Sequence, residues 1–180
     1  MNAYLFIPIL LLHGSALLAE PVSYPLLQVE DGDTLVIQVN DRPARVQLLG
    51  MDAPEDIANP KLIRDVERTG ISEELLLNLG RQSTLHLQQL TGSATNIVVT
   101  GNLEHKDKYG RIPVVASLPG AETSLNAIMV QQGYAVTLPG SQTEPRMDQL
   151  EAQARKSGAG LWGSSPELMQ SWSGRSKAAH

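Results

Sequence analysis

The chain contains no cysteine. That excludes disulfide scaffolds, cysteine-ligated zinc, iron–sulfur clusters and thiol catalysis. It leaves the compartment open, because an oxidising space does not oblige a protein to use cysteine. Aromatic residues make up 4% of the 180, with a single Phe, so a core has to be assembled from Leu, Val, Ile and Ala. Positive charge is also short: 14 Lys and Arg face 19 Asp and Glu, a formal net charge of −5. This balance argues against a broad basic face for gripping nucleic acid, although a local basic cluster or a bound cation reverses the sign where it sits. What is present is 42% hydrophobic and 18% charged, a folded rather than a disordered composition. The length suits one domain, and there is no internal repeat.

Residues 3–12, AYLFIPILLL, form a nearly unbroken apolar run, ALLA ends at Ala19, and the first charged side chain is Glu20. The pattern predicts a cleaved signal peptide over residues 1–19 and hence an exported protein, periplasmic or secreted. The run is shorter than the roughly 20 residues of a membrane span, so no stable membrane insertion is expected after cleavage. The competing reading, a buried N-terminal helix, sits badly with Pro8 and with Gly14–Ser15.

Residues 35–39 and 44–50 read as two strands of a hairpin, joined by the turn-forming Asn40–Asp41–Arg42–Pro43. Residues 72–90 carry Leu75, Leu76, Leu79, Leu85, Leu87 and Leu90 at helical spacing. Gly80 inside that run costs about 1 kcal/mol against Ala, so it needs a packing reason or marks a break. Strands follow at 96–101 and 112–118, with Pro113 expected at a strand start or edge. Helices follow at 124–133 and 144–158, the last ended by Gly158. The predicted organisation is an α+β domain over 20–163 and a loose polar tail over 164–180.

The carboxylates gather where the hairpin opens. DGDT (31–34) precedes the outgoing strand and MDAPE (51–55) follows the returning one. A turn centred between residues 41 and 43 pairs residue numbers that add to roughly 83–85, which sets Asp33 opposite Asp52, with Asp31 and Glu55 nearby. Like charges brought together call for a hard divalent cation with oxygen ligands; the competing reading is a solvated acidic rim. DKYGR (107–111) supplies the opposite charge through Lys108 and Arg111, with Tyr109 between them. It also reads as an ordinary basic turn. His86 and His105 have no second histidine at metal spacing and read as surface or packing residues.

The ordered blocks DGDT, LLGMDAPE, DKYGR, SLNAIMVQQGYA and EAQARKSGAGLWG, from about Val29 to Trp162, resemble the staphylococcal nuclease (thermonuclease) family. The resemblance implies a five-stranded OB-fold β-barrel with about three packed α-helices. It implies a monomeric endonuclease that hydrolyses phosphodiester bonds of DNA or RNA with Ca2+, by in-line attack of water. Position by position, it assigns Asp33, Asp52 and the Ala53 carbonyl to calcium, and Glu55 to the attacking water. Arg111 becomes a phosphate clamp, and Lys108 and Tyr109 become substrate contacts. Where the family carries a second arginine this chain has Gln47; Arg45, two residues earlier on the same strand face, is the candidate substitute. Extra residues near 65–78 are a further departure. Two other readings stay open: a catalytically weakened OB-fold module that binds nucleic acid or a protein, and an envelope protein whose acidic cluster simply binds calcium.

Overall fold

The computed structural model describes residues 21–138 and 146–175. The signal-peptide reading of residues 1–19, and the first two residues of the helix expected at 144–158, lie outside them. In chain order the elements are β1 (Val22–Val29), β2 (Thr34–Val39), β3 (Arg42–Leu48), β4 (Met51–Asp52), α1 (Pro60–Thr69), α2 (Glu73–Thr91), β5 (Asn96–Thr100), β6 (Ile112–Ser117), α3 (Leu125–Gln131), β7 (Val136–Thr137), α4 (Met147–Ser157), α5 (Leu161–Ser164) and α6 (Pro166–Ser173).

Five strands close a barrel in the order β1-β2-β3-β6-β5. Every pairing is antiparallel except β3 with β6. The two-residue period of a strand sends Leu35, Ile37, Val46, Leu48, Ile97, Val99, Ile112, Val114 and Ala116 into the barrel. β1 carries no clean alternation and was not predicted. It serves two partners, pairing with β5 through Val22–Pro25 and with β2 through Leu26–Val29, with an irregularity between Leu26 and Gln28. Pro25 sits at the handover, where a missing ladder donor costs least. Pro113 is the second residue of β6, as a strand-start proline should be.

The β2–β3 hairpin turns on two residues, not four. Asn40 and Asp41 both take positive φ, 48° and 60°, the type I′ geometry that matches strand twist. The register is therefore shorter than expected: Thr34 pairs with Gln47, and Leu48 donates to the Asp33 carbonyl at 2.8 Å. Asp33 thus lies across from Leu48, and Asp52 is not its ladder partner.

A second apolar core lies outside the barrel, among Leu62, Leu76, Leu79, Leu161, Trp162, Met169 and Trp172. It corrects two expectations. The described residues form six helices rather than about three. Residues 164–180 are also not a loose tail throughout: α6 buries Met169 and Trp172, and Arg175 donates to Glu151 and to the Thr137 carbonyl, both at 2.8 Å. Burying two large side chains outweighs the polar character of their neighbours.

Candidate active site

What the ladder does not do, a corner does. After β3, Gly50 takes φ 82°, a conformation open to glycine. Met51–Asp52 leave the barrel and pair with Val136–Thr137 instead. This brings the Ala53 N–H back to Asp33, whose Oδ2 accepts it at 3.3 Å. Asn126 of α3 braces the corner: its amide nitrogen donates to the Leu49 and Val114 carbonyls at 3.0 and 3.1 Å, and its oxygen accepts from Ala116 N–H at 3.0 Å. Helix α2 fixes the same corner from below. A Cβ on Gly80 would stand 2.1 Å from the Glu55 carbonyl oxygen, and one on Gly32 would stand 2.7 Å from the Ser83 Cβ. The glycine inside α2 is thus where the Glu55 backbone crosses the helix, and Thr84 holds the next residue by donating to Asp56 at 2.7 Å.

The acidic cluster is not a solvated rim, for Asp33 is only 5% exposed. Its Oδ1 accepts from Thr34 Oγ1 at 2.9 Å, and Asp31 accepts from the Asp33 N–H at 2.9 Å. Burial, then the charges of Asp33 and Glu55, push the Asp31 carboxyl up to about 8. Burial likewise pushes Asp52 up to about 7, with Asp33 and Glu55 adding to it and Lys61 opposing. Ionising every carboxyl of the cluster at once is therefore costly.

Lys61 reaches the cluster from α1. Lys61 Nζ lies 3.4 Å from Asp52 Oδ1 and 3.0 Å from Glu55 Oε1. It is also 3.4 Å from the Ala53 carbonyl oxygen and from Asp65 Oδ2. Burial alone would depress its pKa, but Asp52, Glu55 and Asp65 hold it above the usual lysine range. Asn59, which caps α1 by accepting from the Lys61 and Leu62 N–H groups at 2.9 Å, also donates to Glu55 Oε2.

A cavity of about 360 Å³ is lined by Asp31, Glu55, Arg45, Arg111 and Tyr109 together with Lys61 and Arg64 of α1. DKYGR folds as a turn. Asp107 accepts from Tyr109 N–H and Arg111 N–H at 2.8 and 2.9 Å, and it pairs with the Arg111 guanidinium at 3.0 Å. That guanidinium reaches Asp33 Oδ1 at 3.8 Å and lies over the Tyr109 ring.

Residues 45–164 match the family described as Staphylococcal nuclease homologue. The chain belongs to the staphylococcal nuclease family. Among its relatives, the micrococcal nuclease of Shigella flexneri is 33% identical over 159 residues, covering 83% of this chain and 78% of that protein. Protein ParB of Escherichia coli is 30% identical over 159 residues, covering 83% and 77%. An uncharacterized endonuclease of Escherichia coli is 28% identical over 137 residues, covering 76% and 74%. The SNase-like OB-fold barrel expected from the motifs is the fold observed.

The residues that the family motif picks out fall into two groups. Glu55, Arg111, Arg45 and Tyr109 share the cavity wall, and Asp33, Asp52 and Ala53 lie at the corner that Arg111 and Lys61 of that wall contact. Gln47 and Lys108 are not part of that wall; Lys108 instead places its ammonium 4.9 Å from the Tyr109 ring centre. Arg45 is not a free cation, because Glu30 takes its guanidinium through both carboxylate oxygens. Among the described residues no three acidic or imidazole side chains close into a metal cage. Two carboxylates and a carbonyl are nonetheless the hard oxygen donors a calcium ion accepts, with water completing its shell. The sequence places Asp31 in the acidic cluster without a role, and gives none to Asn59, Lys61 and Arg64, which also line the cavity. Asn59–Pro60 is an N-cap followed by proline at the first helical position, a legible helix start that would have placed Lys61 and Arg64 in the first and second turns of a helix.

Proposed function

We propose that this chain is an exported endonuclease that hydrolyses phosphodiester bonds of DNA or RNA with the help of Ca2+. The observation that carries the reading is a set of contacts around one cavity: Glu55, Arg111 and Lys61 line it, Arg111 reaches Asp33, and Lys61 reaches Asp52 and the Ala53 carbonyl. The names of the Shigella flexneri and Escherichia coli relatives support nuclease chemistry. Asp33, Asp52 and the Ala53 carbonyl would hold the calcium ion, which would supply positive charge against a phosphate oxygen. Glu55, fixed by Asn59 and Lys61, orients a water and accepts its proton. Arg111, already oriented by Asp107, donates to the non-bridging oxygens as charge grows on them. The apolar leader ending at Ala19 supports export, and the N-terminal sequence of the exported protein tests it.

Cleavage of single-stranded DNA with calcium and with a chelator tests the reading. Glu55→Gln should lower kcat by about 10²- to 10⁴-fold, the usual contribution of a positioned base. Calcium-independent cleavage, or full activity in Glu55→Gln, would remove the proposal. The pairing of Arg45 with Glu30 and the neutral Gln47 favour a second reading, a weakened binding module; binding without any cleavage in the same assay selects it.

A further inference from the structure

Four oxygens surround the Lys61 ammonium, at 3.0 Å from Glu55 and 3.4 Å from Asp52, Ala53 and Asp65. An ammonium has three donors, and only the Glu55 contact has ordinary hydrogen-bond length. The ammonium is therefore bonded to Glu55 and only loosely engaged by the other three oxygens. Two of the four, Asp52 Oδ1 and the Ala53 carbonyl, belong to the set assigned above to the divalent cation. The side of the ammonium towards α6 is different. Asp65, one helical turn further along α1, is held there by Arg68 at 2.8 Å and by the Trp172 indole N–H at 3.1 Å. The face of the Trp172 ring lies 5.4 Å from Nζ, within the range of a cation–π contact. A lysine stem is flexible enough to shift its charge between two such seats.

We propose that Lys61 is a tethered counter-ion of the active site: its ammonium neutralises Asp52 and Glu55 while no divalent cation is bound, and moves towards Asp65 and the Trp172 ring when one binds. The two cations compete for the same oxygens, so the chain binds calcium more weakly than its oxygen set alone would. The inference rests on the assignment of Asp33, Asp52 and Ala53 to a divalent cation.

Calorimetric titration of calcium into the full chain tests it, without reference to activity. Lys61→Met should tighten binding roughly tenfold or more, within the usual range of coupling between two ligands. Lys61→Gln should shift it in the same direction, and it keeps a hydrogen-bond donor for Glu55 should the methionine variant fail to fold. Asp65→Asn retains an acceptor for the indole but deprives the ammonium of its second seat, so it should weaken calcium binding several-fold. In chelator the Lys61 variants should melt below the parent, and calcium should raise their Tm by more than it raises the parent's. Lys61 variants that bind calcium no more tightly than the parent would overturn the inference while leaving the calcium site standing. Absence of calcium binding in the parent and in both Lys61 variants would remove the site and the inference together.

Discussion

In the proposed endonuclease site, two positions on β3 bear on how much positive charge a substrate phosphate would meet. Gln47 is half-buried, paired across the barrel with Thr34 and Pro113, and carries no charge. Arg45 lines the cavity but is engaged by Glu30 in a two-pronged pair. With the side chains 43% and 27% exposed, that pair adds at most about 1 kcal/mol to stability. Its main effect is on the charge left over for a phosphate. Gln47→Arg should raise kcat by one to two orders of magnitude, roughly the scale of a single donor lost from a charge-stabilising site. Glu30→Gln should raise activity several-fold at low ionic strength by releasing Arg45, and the gain should shrink as salt screens it. Both are read from kcat and KM on single-stranded DNA. If the two gains are less than additive, both guanidiniums serve the same phosphate. A silent Glu30→Gln beside a fast Gln47→Arg would mean that Arg45 points away from the reacting group.

The helices set how precisely the carboxylates are held, and here the legibility of the sequence divides sharply. α2, α3 and α4 announce themselves through Leu spacing, Ser124 and Gly158, and the barrel strands β2, β3, β5 and β6 through alternation. The missed helices α1 and α6 are short and polar outside, and only their ends carry a signal: Asn59–Pro60 and Ser165–Pro166 at the starts, Gly70 and Gly174 at the stops. Asp33, Asp52, Glu55 and Arg111 were legible because each lies in a short motif. Lys61 was not, because its role depends on how α1 docks beside Glu55, which no local pattern encodes. Nor did any pattern reveal the corner at Gly50, since the expected register already seemed to bring Asp33 and Asp52 together. Gly80 shows how tertiary contact overrides propensity. In an exposed helix, Gly→Ala stabilises by about 1 kcal/mol. At this position the new Cβ would meet the Glu55 backbone at 2.1 Å, and overpacking of this kind costs about 1–3 kcal/mol. Gly80→Ala should therefore lower Tm and, by displacing Glu55, lower kcat as well. A variant that melts higher than the parent with unchanged kcat would show that the loop yields freely.

For the whole molecule the carboxylates pull stability in opposite directions as pH changes. Burial works against the charge on Asp65, Asp107 and Glu151, but hydrogen bonds and ion pairs to Arg68, Arg111 and Arg175 leave all three below the usual carboxylate range. Their contribution is present above the unfolded values near 4 and is lost as pH falls below them. Asp31 and Asp52 behave the other way, raised by burial to about 8 and about 7. Between about pH 4 and 8 the folded chain holds protons that the unfolded chain has released, so each unit of pH gained lowers stability. Without calcium the protein should therefore be most stable near pH 4–5 and lose Tm steadily towards pH 8. The net charge of −5 adds self-repulsion in the same direction, and one variant separates the two effects. Asp31→Asn copies the protonated form of Asp31 and changes the net charge by only one, so it should remove much of the slope if the buried carboxyl causes it and little if general repulsion does. If calcium binds at Asp33, Asp52 and Ala53 as proposed, it would displace the Asp52 proton, so its stabilisation should grow with pH and flatten the curve. Melting curves at pH 5 and pH 8, in chelator and in calcium, for the parent and for Asp31→Asn, read all of these effects. A parent whose Tm in chelator stays level or rises from pH 5 to 8 would show that Asp31 and Asp52 are ionised at little cost in the folded chain, and that Lys61 alone already balances the corner.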